Sequence, residues 1–320
     1  MRHAFEWKNG RMHVTPHAQH AAPRSPIRGP ALPIGVAVTA IGMLFSIASA
    51  PIASSNEPAM PEPAAVMQVP TVQVDATPAA DPCADPAVTE ALANGDDAGA
   101  IAGFGGGENF RAAVVAGNAP CISLSDPARL WVVVNKNRPL DPPEYEPRGL
   151  NSVPLQMTTP SGEVRSDVAA AVGRMADAAE AAGVGRIGAN NGYRSYGLQV
   201  TTYANHVRSQ GQSDADAGSA RPGHSEHQTG LALDVVACDA GCGGLDGFGG
   251  TGQSDWVAAH AWEHGFIVRY EEVGTPVTGY APEPWHLRYV GVELAEAYHQ
   301  GGFHTLEEFF GLPAAPDYTG

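Results

Sequence analysis

The sequence predicts an α+β fold for its C-terminal region, an antiparallel sheet with flanking helices, on two observations. Three short apolar runs, Leu231 to Val236, Phe266 to Tyr270 and Trp285 to Val290, have the length and composition of strands. Before them lie two longer segments, 166 to 182 and 196 to 209, that read as helices. Roughly 180 residues are enough to build one core around such a sheet.

Taken in order, residues 1–30 form a basic tail, with Arg2, Lys8, Arg11, Arg24 and Arg28 against the single acid Glu6. Residues 31–53 are apolar and uncharged, long enough to span a bilayer, which takes about 20 residues. A basic segment followed by an apolar one is an export pattern. Ala48-Ser49-Ala50 resembles a cleavage site, but Pro51 follows directly and hinders processing, which favours a retained anchor over a cleaved signal. Either way the rest of the chain is expected outside the cytoplasmic membrane, touching it only through this segment. Residues 54–82 hold six prolines and no aromatic residue, and read as an extended linker of about 3 Å per residue.

Residues 83–128 are a small Ala/Gly-rich segment, expected as a disulfide-closed module. Export makes disulfides the natural state of the four cysteines. Three pairings are possible. The expected one joins Cys83 to Cys121 and Cys238 to Cys242, the latter stiffening the loop after the 231–236 strand. Gly103 to Gly107 superficially resembles a phosphate loop, but no Lys-Ser/Thr follows it.

The main domain, residues 129–315, opens on Leu130-Trp131-Val132-Val133-Val134, expected as a strand. Ser166 or Asp167 can cap a helix through Ala182, with Val168, Val172 and Met175 on one stripe. Arg186 to Arg194 is extended, and Tyr196 to Ser209 is a helix with Gln199 one turn in, ended by Gly211. The polar stretch from Gly211 to Gly223 reads as a loop that overhangs a cleft. Ser254-Asp255 can start a short helix that stops at Gly265, just before the 266–270 strand.

Two clusters carry the chemistry: Ser225-Glu226-His227 running on to Asp234, and Glu283-Pro284-Trp285-His286. A catalytic zinc takes three nitrogen or oxygen ligands from the protein and leaves one position to water, while a nearby carboxylate accepts the proton. His227, Asp234 and His286 fit the ligand roles, and Glu283 fits the base. His227 and Asp234 flank a turn that runs into a strand. Pro284 biases Glu283 to an extended backbone, so residues 283 and 286 need a twist or bulge to converge.

With Tyr193-Arg194-Ser195 and Gln199 added to the Ser-x-His-x-x-Gly-x-Ala-x-Asp run and Glu-Pro-Trp-His, the chain resembles VanY-type D-alanyl-D-alanine carboxypeptidases over roughly residues 130–310. The likeness continues through Gly265 to Tyr270, Thr278-Gly279-Tyr280 and His286 to Gly291, and departs from the family pattern at Glu271-Glu272. The resemblance implies a hedgehog/D,D-peptidase-like fold, one zinc per chain, and removal of the terminal D-residue from peptidoglycan stem peptides. It implies Arg194 as a clamp for an oxyanion or a substrate carboxylate, Ser225 and Gln199 as substrate contacts, and Trp285 as an apolar wall. The chain is expected to act as a monomer. L,D-carboxypeptidase, D,D-dipeptidase and endopeptidase activities use the same metal chemistry, and a zinc-stabilised wall-binding module is the alternative that is not an enzyme.

Other chemistries fit less well. His260-Ala261-Trp262-Glu263-His264 matches another zinc-peptidase pattern, but its helix is short. Neither Lys8 nor Lys136 has a serine three residues before it, which excludes a Ser-x-x-Lys nucleophile. Net charge is −16, and beyond residue 30 the chain holds 13 basic against 33 acidic residues. Nucleic acid, which needs clustered basic side chains, is excluded as a partner. An acidic polymer would have to be met at local positive spots such as Arg194, Arg221 and Arg288.

Overall fold

Three helices open the computed structural model, which describes residues 81–319. They are α1 (Pro86–Asn94), α2 (Asp97–Gly103) and α3 (Gly107–Val115). Asp85 and Asp96 start the first two by accepting the Ala87 and Gly99 amides. Cys83 is bonded to Cys121 across this segment, and Val88, Ile101 and Phe110 sink into the same apolar core as the sheet. Asp97 fixes the exit from the helices, accepting from Arg129 Nη1 at 2.9 Å and from the Leu130 amide at 2.8 Å. The basic tail, the apolar 31–53 stretch and nearly all of the linker lie outside the described residues. Among the described residues, no helix is long and apolar enough to cross a membrane.

Beyond these lie β1 (Leu150–Ser152), β2 (Glu163–Arg165), α4 (Ser166–Ala181), β3 (Arg186–Asn191) and α5 (Tyr196–Gln210). Next come α6 (Gln212–Gly218), β4 (Ala232–Cys238), α7 (Gly252–His260), β5 (Phe266–Tyr270) and α8 (Thr275–Thr278). The chain finishes with β6 (Glu283–Tyr289), α9 (Val292–Gln300) and α10 (Leu306–Phe309). β1 and β2 pair as a small antiparallel ribbon, and the main sheet runs β3-β4-β6-β5, antiparallel throughout. Strand side chains alternate between faces. Leu233, Val235 and Leu287 join Val168, Val172 and Met175 of α4 in the core, while Asp234 and His286 take the opposite face.

The structure corrects four expectations. Leu130 to Val134 is not a strand, although all five residues are buried. Its polar backbone is satisfied in other ways: Leu130 O and Val132 O accept from the Arg288 guanidinium, and the Val133 amide donates to Leu124 O. The 211–223 stretch contains α6, pinned because Asp216 accepts from both Tyr203 Oη and Arg221. Ser166 lies inside α4 rather than capping it, and Asp167 pairs with Arg165 at 2.7 Å. Thr251, not Ser254, caps α7 by accepting the Ser254 amide.

A buried charge cluster braces the sheet against the rest of the chain. Glu226 Oε1 accepts from Arg269 Nε at 3.0 Å and Arg288 Nη1 at 2.9 Å. Arg269 reaches on to Glu307 through two bonds, and Glu307 also takes Asn135 Nδ2. These four charged side chains are no more than 1% exposed, and two acids balance two guanidinium groups. Burial alone would raise the Glu226 carboxyl, but Arg269 and Arg288 outweigh it and hold the group well below its ordinary 4.5. A depressed acid contributes its stability in full above its unfolded value and loses it as pH falls toward the folded one. The thermal midpoint is therefore expected to stay level near neutrality and drop below about pH 4.5; a midpoint still level at about pH 3 would contradict this role.

Candidate active site

Register brings the two sheet-borne candidates together. Asp234 of β4 lies directly opposite His286 of β6, so both side chains rise from the same face. Two irregularities complete the arrangement. Between Ala189 and Asn191 the β3–β4 register slips by one residue, which sets Asn191 across from Asp234. Asn191 Nδ2 then donates to Asp234 Oδ2 at 3.0 Å. Between β5 and β6 the register shifts again, from Val268 opposite Leu287 to Tyr270 opposite Glu283. Pro284 sits in that gap and has no amide to give the ladder. The resulting bulge brings Glu283 Oε2 to 3.3 Å from His286 Nδ1, the convergence that residues 283 and 286 require.

His227 arrives from the short 3-10 turn Glu226–Thr229, which ends at Gly230 with φ 70°. A side chain at Gly230 would be strained by that φ and would press on Pro147, Arg165 and Leu150. A backbone carbonyl can only accept, so His227 Nδ1–H donates to Gly192 O at 2.8 Å. That leaves the Nε2 lone pair facing Asp234 Oδ1, 3.5 Å away. His286 Nδ1 is also 3.5 Å from Asp234 Oδ1.

The donor set fits a metal ion. Ligating atoms of His227, Asp234 and His286 all lie within 4.8 Å of one another, and no other such group occurs among the described residues. Asp234 Oδ1 is buried without a hydrogen-bond partner, so electron pairs converge on a point that no protein proton fills. Two imidazole nitrogens and one carboxylate oxygen are the ligand types of a catalytic zinc. The electrostatics agree. Burial would raise Asp234, but the two histidines and Asn191 hold its carboxyl well below the ordinary range. Burial pulls His227 down, against the attraction of Asp234. Burial would also pull His286 down, yet Glu226, Glu283 and Asp234 push it up to about 9, so the carboxylates around that ring attract positive charge, which a cation can supply once the ring has lost a proton.

Around this point opens a cleft of about 520 Å³, walled by Arg194, Ser225, Tyr270, Tyr280 and Trp285, with Leu198 farther out on α5. That volume suits a small peptide end. Arg194 follows β3, and its Nη1 donates to Gln199 Oε1 at 2.9 Å. Burial draws its pKa below the ordinary guanidinium value, while Asp234 and Glu283 pull the other way; a guanidinium keeps its charge throughout.

Gln199 itself corrects an expectation. It is 0% exposed and absent from the cleft wall, with its amide nitrogen bonded to Ala220 O at 2.6 Å. Its hydrogen-bonding capacity is spent on holding Arg194 and the chain after α6, so it orients the arginine instead of touching substrate. Arg288 is a second correction. Fully buried in the charge cluster, it offers nothing to a polymer. Arg221 pairs with Asp216 at 3.0 Å and lies over the Tyr318 ring.

The alternative His260/His264 pattern is split, because α7 ends at His260 and a 3-10 turn carries His264. His260 instead bonds Glu263 at 2.8 Å. His224 Nδ1 is engaged with Asn135 O. Cys238 and Cys242 are bonded to each other at the exit of β4, beside Gly188 of β3, where an added side chain would collide with the sulfur of Cys238. Two functional neighbours escape a reading of the sequence: Asn191, which depends on a bulge, and Glu226, whose only signal is a carboxylate next to a candidate ligand.

A four-stranded antiparallel sheet and the turn before β4 gather two histidines, an aspartate and a glutamate in a peptide-sized cleft, the parts of a metal-dependent peptidase. The profile of the VanY D-alanyl-D-alanine carboxypeptidase family matches residues 161–292. The putative carboxypeptidase YodJ of Bacillus subtilis is 36% identical over 192 residues, covering 59% of this chain and 69% of that protein. A D-alanyl-D-alanine carboxypeptidase of Enterococcus faecalis is 34% identical over 190 residues, covering 56% of this chain and 64% of its own. Among solved structures, the LdcB LD-carboxypeptidase superposes with a TM-score of 0.54 at 37% identity, covering 58% of this chain and 87% of that one. The chain belongs to the VanY family of D-alanyl-D-alanine carboxypeptidases.

Proposed function

We propose that this chain is a zinc carboxypeptidase that hydrolyses the terminal D-residue from peptidoglycan stem peptides outside the cytoplasmic membrane. The observation that carries this reading is one constellation: three ligating atoms within 4.8 Å and the Glu283 carboxylate 3.3 Å from His286, open to the cleft. His227, Asp234 and His286 would hold the ion, which supplies a Lewis acid and lowers the pKa of the attacking water. Glu283 accepts that water's proton as its oxygen bonds the scissile carbonyl carbon. The same carboxyl then returns the proton to the nitrogen as the carbon–nitrogen bond breaks, so one group serves as base and then acid. Arg194, aimed by Gln199, offers its fork of donors to the developing oxyanion or the terminal carboxylate. The Ser225 hydroxyl lines the cleft to hydrogen-bond peptide backbone, and Trp285 walls it. The two disulfides support an oxidising compartment.

The likeness to an LD-carboxypeptidase favours a second specificity, removal of a D-residue that follows an L-centre. One experiment tests both. The purified protein is incubated with defined tetrapeptide and pentapeptide stems, with zinc or with a chelator, and products are identified by mass. Loss of one residue from the pentapeptide alone supports D,D-specificity, and loss from the tetrapeptide supports L,D. Undiminished cleavage after chelation, or no cleavage of either stem, overturns the reading.

A further inference from the structure

We infer that Glu226 is a positioning residue of the metal centre, holding the His286 ring so that its Nδ1 faces Asp234. The inference rests on the proposed zinc site and goes beyond it by assigning a role to a buried carboxylate outside the ligand set.

Glu226 Oε2 stands 3.4 Å from His286 Nε2, and neither atom has another hydrogen-bonding partner. The separation is long for a strong hydrogen bond but within ion-pair reach. The other oxygen, Oε1, is fully occupied by Arg269 and Arg288, so the carboxylate is not free to rotate away. Arg288 lies on β6 two residues beyond His286, and Arg269 lies on the neighbouring β5. The arginines that clamp Glu226 therefore stand on the ring's own strand and on its neighbour. A carboxylate can only accept here, so it calls for a proton on Nε2 and leaves the Nδ1 lone pair for the ion, the arrangement that fixes ring orientation and raises ligand basicity at many zinc sites. His227 is treated in parallel, with Gly192 O taking the proton on the nitrogen remote from Asp234.

Glu226→Gln separates this role from mere charge balance. The two arginines demand an oxygen, which leaves the amide NH₂ against His286 Nε2. That nitrogen must then accept, and the ring proton moves to Nδ1, where the ion would bind. Zinc affinity, measured by competition with a chromophoric chelator, is expected to fall about 10- to 100-fold. Glu307→Gln removes the same charge from the same cluster without facing His286, and its zinc affinity is expected to match the unsubstituted chain. Equal affinities in all three proteins, or equal losses in both variants, overturn the inference while the catalytic reading stands. If Glu226→Gln does not fold, ¹⁵N-histidine spectra of the zinc-loaded unsubstituted protein decide: a metallated Nδ1 with a protonated Nε2 supports the inference, and a metallated Nε2 overturns it. An unsubstituted chain that takes up no zinc overturns both readings together.

Discussion

Replacing Glu283 with Gln is expected to lower kcat for D-alanine release by about 10²- to 10⁴-fold, the range for loss of a general base, while the zinc content stays unchanged. Gln keeps the length and shape of the side chain but has no site for the transferred proton. Glu283 is suited to the task because it is the most solvent-accessible of the three carboxylates beside His286, with its side chain 16% exposed against 5% for Asp234 and 0% for Glu226. It can meet water in the cleft, whereas the other two are almost wholly buried. Turnover of a pentapeptide stem alongside metal analysis of the same sample checks the prediction. A variant that keeps its kcat would remove Glu283 from the proton pathway. One that loses zinc along with activity would make it a ligand.

Arg269→Met should lower folding stability by about 3–5 kcal/mol, the cost of breaking a buried ion pair by removing one partner. For a domain of this size that corresponds to a fall of about 6–20 °C in Tm. Arg269 neutralises two carboxylates at once, Glu226 at 3.0 Å and Glu307 at 2.8 Å, and all three side chains are at most 1% exposed. Methionine fills much of the volume but leaves Glu307 buried with no ionic partner beyond the Asn135 amide, and Glu226 with Arg288 as its one guanidinium. Thermal unfolding at neutral pH gives the readout, and a Tm within a degree or two of the unsubstituted protein would show that the acids find other partners.

The sequence exposed those parts of the site that depend on residue type, and hid those that depend on where neighbouring strands lie. Strand β5 was readable to the residue because Phe266 to Tyr270 is apolar and bounded by Gly265. His227, Asp234 and His286 announced themselves as ligand types in a compact pattern, and the structure gathers all three. Leu130 to Val134 misled because burial, not sheet pairing, is what its apolar run encodes. Gln199 misled for a similar reason, since sequence shows a polar group but not that Arg194 and Ala220 already occupy it. Asn191 and Glu226 were invisible because their importance comes from a register slip and from two arginines more than forty residues away. The β1–β2 ribbon left no periodic trace in strands of three residues.

The candidate ligands Asp234 and His286 belong to adjacent strands in the middle of the sheet, whereas the outer cleft is walled by α5, the stretch after α6 and the turn containing Leu245 and Asp246. Under the proposed function, bond breaking and guest selection thus fall to separate parts of the architecture. Change in the peripheral segments would then alter which peptide end is admitted while the central strands keep the candidate ligands in register.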